Sequence, residues 1–293
     1  MIIRPERVDD YPAIANLHAR AFHLRYSEAS IVALQRHRST FDPELSFVAD
    51  DGGMIVGHAL FNPHTIRLLD QDVSAVNLAP IAVEPGFQGR GIGTALIEEG
   101  HAASKTKGHR VSFLVGHPGY YPRFGYRMHA YGAASISMPA LPAASEGMAR
   151  RSPVEADVPA LVRLWQEDQA RVDFAVFPGH DLLDWLSPNP MIHAHVYTEG
   201  ENGSIRGYAR IHDSEPTKPR VFLARDAHAA AVIASSLVQE VEAESRSAIV
   251  LPLHPSARCA QGLPVPFPRP MAPAMAVSLA SVLLDEYLQA VEA

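Results

Sequence analysis

The sequence predicts an α/β protein of two domains, each combining a β-sheet with flanking helices. Three observations lead to this prediction. The chain has 293 residues, which is long for one compact domain and sufficient for two. Residues 77–100 run from an apolar strand through a glycine-rich turn directly into a helix. The third observation is a capped helix followed by a β-hairpin, a pattern that occurs once in each half of the chain.

Composition and charge narrow the class of protein. Hydrophobic residues make up 47% of the chain, enough for real cores, yet no segment is apolar for long enough to span a bilayer. The net charge of −7 argues against general nucleic-acid binding and is compatible with a cationic, amine-bearing substrate. The start of the sequence turns charged at once, unlike a signal peptide, so we expect a cytoplasmic protein without membrane contact.

The cysteine and histidine patterns give no indication of a metal centre. Cys259 is the only cysteine, which excludes an internal disulfide and a cysteine-based zinc site. The 15 histidines are scattered, and none forms a His-x-x-x-His pair with a carboxylate in a recognisable arrangement. We therefore expect no metal cofactor.

The glycine-rich turn has the character of a phosphate-binding loop. Residues 77–100 read NLAPIAVEPGFQGRGIGTALIEEG. The first amides of a helix lack internal partners and carry the positive end of the helix dipole, and glycine lets an anion approach the backbone closely. A Walker A loop would need Lys and then Ser or Thr after its last glycine, and a dinucleotide fingerprint would need glycine where Thr94 stands. Neither of these better-known loops fits.

A second motif follows the turn in the same half of the chain. Residues 121–126 read YPRFGY, after a β-rich run and a His-Pro-Gly turn. This stretch resembles the Y-x-R-F-G-F-like signature of the GNAT N-acetyltransferase superfamily, and residues 88–93, QGRGIG, resemble that family's acyl-CoA pyrophosphate loop, Q/R-x-x-G-x-G/A. The resemblance covers residues 1–139. It implies a splayed mixed β-sheet flanked by helices, with acetyl-CoA as cosubstrate.

The resemblance also implies which residues bind acetyl-CoA. The pantetheine arm would hydrogen-bond to the backbone of the strand before the turn, at Ile81, Ala82 and Val83. A backbone N–H of the same strand would stabilise the oxygen that becomes negative when the thioester is attacked. The diphosphate would lie on the amides of the turn and the first helical residues, at Gln88, Gly89, Arg90, Gly91, Ile92, Gly93 and Thr94.

Attack of an amine on a thioester needs both a proton acceptor and a proton donor. An alkyl amine, with a pKa of about 10.4 like that of Lys, is mostly protonated at neutral pH, and the leaving thiolate, with a pKa of about 8.5, benefits from a donor. Tyr121 matches the family's general-acid tyrosine, whereas Tyr120 better fits an aromatic plug. The sequence leaves the base open between Glu84, which follows the cofactor strand, His117, which ends the next strand, and ordered water. Three further residues could face the cleft, namely His58, His64 and Asn77.

The expected function is therefore an acyltransferase that moves an acetyl group from acetyl-CoA to a primary amine of a small molecule. Two alternatives remain open: an acetyltransferase for protein N-termini or lysines, and a CoA-binding regulatory or assembly module without turnover. An acyl group other than acetyl is also open, because acyl selectivity depends on pocket volume. Members of the family often form dimers, so the resemblance is compatible with a homodimer.

The domain organisation follows from an internal repeat. Residues 10–17 and residues 157–164 both read as a helix start with an acidic cap and an early proline. Each is followed by a predicted hairpin, at residues 46–64 and 195–213. We predict an active GNAT domain over residues 1–139, a linker over 140–153 and a second GNAT-like domain over 154–293.

The second half is predicted to be degenerate. Where the phosphate loop should stand, residues 220–241 run from a strand into an alanine-rich helix without any glycine. The Tyr-x-Arg-Phe-Gly signature is also absent after Pro255. An active unit followed by a degenerate one resembles the tandem acetyltransferases of the enhanced-intracellular-survival type. Residues 277–291 are predicted to close this second domain as a helix.

Overall fold

The computed structural model describes residues 1–23, 26–139, 148–187, 189–201, 203–239, 248–263, 267–270 and 274–292. The chain forms two compact units. Unit 1 comprises Met1–Tyr131 together with Met271–Ala293, and unit 2 comprises Gly132–Pro270. The predicted linker lies outside the described residues up to position 147.

The described strands are β1 (Ile2–Pro5), β2 (Ser46–Asp51), β3 (Met54–Leu68), β4 (Gln71–Val83), β5 (Val111–Val115), β6 (Gly132–Pro139), β7 (Met148–Arg151), β8 (Ala175–Val176), β9 (Ile192–Glu199), β10 (Ile205–His212), β11 (Val221–Ala224), β12 (Ala248–Leu251), β13 (Phe267–Pro270) and β14 (Ala274–Ser278). The α-helices are α1 (Tyr11–Ala21), α2 (Ser27–Gln35), α3 (Ile92–Thr106), α4 (Val158–Asp168), α5 (Leu182–Trp185), α6 (Ala227–Gln239) and α7 (Val282–Glu292). Within these ranges every helix is too short or too polar to cross a bilayer.

The sheet of unit 1 is mixed, as predicted. Its strands hydrogen-bond in the order β1-β2-β3-β4-β5-β14. Neighbours from β1 to β4 are antiparallel, β4 and β5 are parallel, and β14 is antiparallel to β5. The hairpin predicted over residues 46–64 is confirmed, because β2 and β3 pair on either side of the turn at Gly52 and Gly53.

Helices cover both faces of this sheet. α1 follows Asp10, whose carboxylate accepts the N–H of Arg7 at 2.7 Å, and its apolar residues pack with α2 against one face. α3 packs on the other face, where Phe61 and Leu96 belong to a separate buried cluster. Residues of β2 and β3 belong alternately to one cluster and to the other, because successive strand residues point to opposite faces of the sheet.

The C-terminal segment corrects the predicted domain boundary. Residues 277–291 do not form one helix that closes the second domain. Ala274–Ser278 instead form β14 in the sheet of unit 1, with Met275 fully buried, and the helix begins only at Val282. The physical reason is that β5 would otherwise present an unpaired edge. β14 covers that edge and also pairs with the backbone of Arg127 on its other side.

Unit 2 contains two smaller antiparallel sheets, β11-β10-β9-β7 and β12-β6-β13. The hairpin predicted over residues 195–213 is confirmed by the pairing of β9 with β10, although Asn202 in its turn lies outside the described residues. The buried cluster of this unit includes Trp165 from α4, Tyr208 from β10 and Ile233 from α6.

Both units begin with the same arrangement. In unit 1, Arg4 donates to Asp10 at 2.7 Å immediately before α1. In unit 2, Arg151 donates to Asp157 at 2.6 Å immediately before α4. Each unit then continues into antiparallel strands, and β10 carries Gly207 against Ile233 of α6 much as β3 carries a glycine against α3.

Candidate active site

The central feature of unit 1 is an opening between two parallel strands. β4 pairs with β5 over Ala75–Asn77 and Val111–Phe113, and no further pairing of these strands occurs within the described residues. The last six residues of β4 therefore run on beside β3 alone. An opened pair of parallel strands exposes backbone donors and acceptors that a bound molecule can use.

Backbone alternation shows which donors face this opening. The N–H of Glu84 donates to the carbonyl of Val56 on β3 at 2.9 Å. Because hydrogen-bonding direction alternates along an antiparallel strand, the N–H groups of Ile81 and Val83 point away from β3. Ala82 is buried, whereas its two neighbours are half-buried. Of the three predicted strand residues, Ile81 and Val83 thus present their amides to the opening and Ala82 presents its own to β3.

The glycine-rich turn leads from β4 into the N-terminus of α3. Gly89 and Gly91 have φ of 75° and 82°, in the left-handed region that favours glycine, and Gly91 is the residue that precedes the helix. A Cβ at either position would meet no atom within 4 Å, so the turn faces open space. Gln88 donates its side-chain amide to the carbonyl of Val83 at 3.2 Å, and Arg90 donates to the carbonyl of Gly86 at 2.9 Å. The N–H of Gln88 donates to the carbonyl of Pro85 at 3.4 Å. Within the described residues, the amides left open at the positive end of the 15-residue helix therefore begin at Gly89.

A short 3₁₀ helix, Tyr121–Phe124, follows β5 and contacts the start of α3. A Cβ at Gly93 would lie 2.5 Å from the hydroxyl oxygen of Tyr120, so glycine is required for this close approach. Arg123 stacks over the ring of Tyr120 at 4.0 Å and donates to the Thr94 hydroxyl at 3.2 Å. Tyr120 thus has the structural position expected of an aromatic plug.

Tyr121 is the first residue of the 3₁₀ helix that follows β5. Its ring packs against Gly116, where a Cβ would overlap it, and lies edge-on to the ring of Tyr126 with the ring centroids 5.9 Å apart. Burial raises the pKa of Tyr121 to about 12, with a smaller contribution from Tyr120. The hydroxyl therefore stays protonated at neutral pH, which is the state a proton donor needs.

A buried polar cluster fixes the aromatic ring behind Tyr121. The hydroxyl of Tyr126 forms hydrogen bonds with Ser112 at 2.6 Å and with Nε2 of His101 at 2.9 Å. Burial lowers the pKa of His101 to about 4, so its ring is neutral. These hydrogen bonds hold the ring of Tyr126, against which the ring of Tyr121 lies edge-on.

The two predicted base candidates differ in their surroundings. Glu84 receives three contacts from the guanidinium of Arg20 on α1, at 2.8 to 3.1 Å, so both carboxylate oxygens are occupied. His117 is exposed and follows β5. Asn77 is half-buried at the last pairing position of β4 with β5, and the ring of His64 lies 5.9 Å from that of Phe113.

The interpretation of His58 as a cleft residue is wrong. Its ring is fully buried under α1, between Ser46 at 3.0 Å, Glu6 at 3.3 Å and Nε2 of His18 at 2.8 Å. Arg36 donates to both oxygens of Glu6 at 2.9 and 2.8 Å. These five side chains form a buried network that sequence reasoning missed, because they come from five separate segments of the chain.

Burial governs the protonation of this network. Burial lowers the pKa of His18 to about 3, with a further lowering by His58 and Arg36. Burial also lowers the pKa of His58. The pKa of Glu6 falls to about 2 because hydrogen bonds from Arg36 and His58 outweigh the opposing effect of burial. Glu6 is therefore charged and both histidines are neutral at pH 7.

The helix that follows β11 in unit 2 differs from α3 at its N-terminus. Asp226 stands before α6 and accepts the N–H of Ala229 at 2.8 Å. A carboxylate of the chain thus uses an amide of the kind that the glycine turn leaves free in unit 1. Among the described residues of the whole chain, no cluster of three or more histidine, cysteine, aspartate or glutamate side chains is arranged to hold a metal ion.

A strand, a glycine turn and the N-terminus of a helix beside an opened sheet form an arrangement suited to an anionic group such as a phosphate. The sequence profile of the Acetyltransferase (GNAT) domain matches residues 2–129. The chain is 36% identical over 118 residues to the uncharacterised N-acetyltransferase YjhQ of Escherichia coli K12, covering 40% of this chain and 64% of that protein. It is 31% identical over 132 residues to the uncharacterised N-acetyltransferase YhbS of the same organism, covering 45% of this chain and 76% of that protein. The chain belongs to the GNAT acetyltransferase family.

A solved structure shares the fold over nearly the whole chain. It is the crystal structure of a GCN5-related N-acetyltransferase from Anabaena variabilis, with a TM-score of 0.70 and 13% sequence identity. The alignment covers 94% of this chain and 72% of that one. The chain spans just under two thirds of the length of YjhQ.

Proposed function

We propose that this protein is an acetyl-CoA-dependent N-acetyltransferase that acetylates the primary amine of a small molecule. The observation that carries the proposal is the joint position of the open glycine turn, the unpaired end of β4 and Tyr121 in unit 1. The glycine turn would bind a diphosphate, the unpaired end of β4 would bind a pantetheine arm, and Tyr121 would protonate a departing thiolate. Membership of the GNAT family supports the same reading.

The residues present fit acetyl-CoA. The amides of residues 88–94 would hold the diphosphate, because the left-handed glycines leave the start of α3 uncovered. The backbone of residues 81–83 would hold the pantetheine arm, with Ile81 and Val83 offering N–H groups towards the opening. Acetyl-CoA would supply an activated acyl group and a thiol leaving group.

Tyr121 is proposed as the general acid. Its hydroxyl would give a proton to the departing sulfur, and its raised pKa keeps that proton in place until it is needed. For the base, His117 is the better supported of the two candidates, because it is exposed at the end of β5 whereas Glu84 is engaged by Arg20. A small cationic acceptor agrees with the net charge of −7.

Unit 2 is proposed to be a degenerate GNAT-like domain that does not bind the cosubstrate. Its first helix and its β10 glycine correspond to those of unit 1, whereas Asp226 occupies an amide at the start of α6. One molecule of acetyl-CoA per chain is the expected stoichiometry.

The test combines binding with turnover. Titration calorimetry should show one equivalent of acetyl-CoA bound per chain, and a panel of small amines, peptide N-termini and lysine peptides should be assayed for release of the CoA thiol. We expect thiol release with at least one small amine and none with a Gly91→Glu variant. Binding without any release would favour the CoA-binding module, and binding of two equivalents would refute the account of unit 2. Absence of binding would refute the proposed function.

A further inference from the structure

A β-bulge interrupts β4 next to the opening. Ala59 of β3 pairs with Ile81, but Phe61 pairs with Leu78, so two residues of β4 stand opposite one residue of β3. These two residues of β4 are Ala79 and Pro80, and the register between β3 and β4 gives neither of them a paired residue. A two-against-one bulge bends its strand and changes the direction in which the following backbone groups point.

A buried side chain holds this bulge. Asn62 is 4% exposed, and its side-chain amide donates to the carbonyl of Ala79 at 2.7 Å. The side chain thus replaces the ladder hydrogen bond that the bulge removes. Without this donor the carbonyl of Ala79 would lose the hydrogen bond, so the contact contributes to fixing the bulge in one conformation.

The bulge lies where β4 leaves β5. The parallel pairing ends at Asn77, and the bulge begins two residues later. After the bulge, the N–H of Ile81 points away from β3 into the opening. This follows because the N–H of Glu84 points towards β3 and the direction of the N–H groups alternates from one residue to the next. The direction of this N–H therefore depends on how the bulge is held. Pro80 offers no N–H, so Ile81 is the first residue after the bulge that can donate there.

We propose that Asn62 is a positioning residue that fixes the bulge of β4 and thereby aims the N–H of Ile81 at the thioester carbonyl oxygen. This inference rests on the proposed function. As the amine nitrogen bonds to the carbonyl carbon and gives a proton to the base, an electron pair moves onto that oxygen. The pair returns to the carbonyl bond when the carbon–sulfur bond breaks, and the departing sulfur takes the proton of Tyr121. A donor aimed at such an oxygen contributes about 10²–10³-fold in rate, and a misplacement of about 1 Å costs about 10²-fold.

The test uses Asn62→Leu, which keeps the size of the side chain and removes the donor, and Thr65→Val on the same strand as the matched control. We expect kcat of Asn62→Leu to fall by about 10–100-fold, with KM and the dissociation constant for acetyl-CoA changed by less than about threefold. The infrared band of bound carbonyl-¹³C acetyl-CoA should lie at lower frequency than that of free acetyl-CoA in the parent protein, and should move back towards the free value in Asn62→Leu. Thr65→Val should leave kcat and the band unchanged.

The outcomes separate this inference from the function on which it rests. If Asn62→Leu lowers only the melting temperature and leaves kcat and the band unchanged, Asn62 has a structural role alone and the inference is wrong. If Asn62→Leu does not fold, Asn62→Ser, whose hydroxyl is too short to reach Ala79, takes its place, and an unshifted band in the parent protein refutes the inference without any variant. If the parent protein neither binds acetyl-CoA nor releases thiol, the proposed function fails instead.

Discussion

The buried histidine on α1 gives a quantitative prediction about stability in mild acid. His18 is fully buried in the network with His58 and Glu6, and burial lowers its pKa from 6.5 to about 3. In the unfolded chain the ring titrates near its ordinary pKa of about 6.5. Below that pH the unfolded state binds a proton that the folded state does not bind. The stabilising contribution is therefore complete above about pH 6.5 and is lost progressively as the pH falls towards 3.

The magnitude follows from the size of the pKa shift. Each pH unit between the two pKa values changes the free energy of unfolding by about 1.4 kcal/mol per group. From pH 7.5 to pH 5.0 the His18 contribution therefore falls by about 2 kcal/mol. Glu6 does not interfere in this window, because its pKa is lowered to about 2 and its contribution is lost only below its ordinary pKa of 4.5.

The perturbation is His18→Gln, which can still donate to His58 but does not titrate. Urea unfolding of both proteins, followed by far-ultraviolet circular dichroism at pH 7.5 and pH 5.0, gives the loss of unfolding free energy for each. We expect the parent protein to lose about 2 kcal/mol more than the variant. A matched control is His37→Gln, since His37 is exposed just after α2 in the same unit.

Two results would refute this reasoning. An equal loss of stability in the parent protein and in His18→Gln would mean that His18 is protonated in the folded state or accessible to water. A His37→Gln variant that also loses about 2 kcal/mol less than the parent would mean that the effect is not specific to the buried network.

Three further predictions concern the active site. Gly91→Glu should abolish acetyl-CoA binding in calorimetry, because it adds strain at a left-handed φ of 82° and a negative charge where the diphosphate would lie, while far-ultraviolet dichroism stays unchanged; retained binding would place the diphosphate elsewhere. Tyr121→Phe should lower kcat by about 10²-fold or more in the thiol-release assay without weakening acetyl-CoA binding, and normal turnover would remove its role as the acid. His117→Gln should reduce kcat/KM by at least about tenfold, and Glu84→Gln by less, because Arg20 already engages that carboxylate; the reverse order would make Glu84 the base.

The parts of the site that the sequence predicted are local in the chain. The glycine turn, the helix after it and the aromatic signature at Tyr121 each lie within a few residues, and glycine spacing reports backbone conformation directly. The hairpins were predicted for the same reason, since a turn motif between two alternating stretches fixes the register.

The parts that the sequence did not predict depend on distant residues. The network of Glu6, Arg36 and His58 joins segments that are 30 and 22 positions apart, and no periodicity indicates which buried polar residues will meet. The contact of Asn62 with Ala79 depends on a bulge, which changes the register by one residue without a local signal. The return of Ala274–Ser278 to β5 was missed because the edge that needs covering lies far earlier in the chain.

The late return of β14 has a consequence for biosynthesis. β14 of the unit 1 sheet is synthesised after all of unit 2. During translation one edge of β5 therefore stays unpaired until residues 274–278 leave the ribosome. An unpaired strand edge with an apolar face is prone to aggregation. A chain that stops before residue 274 would therefore retain the whole glycine turn but lack a complete sheet to support it. Expression of the first 139 residues by themselves would recreate that vulnerable nascent state.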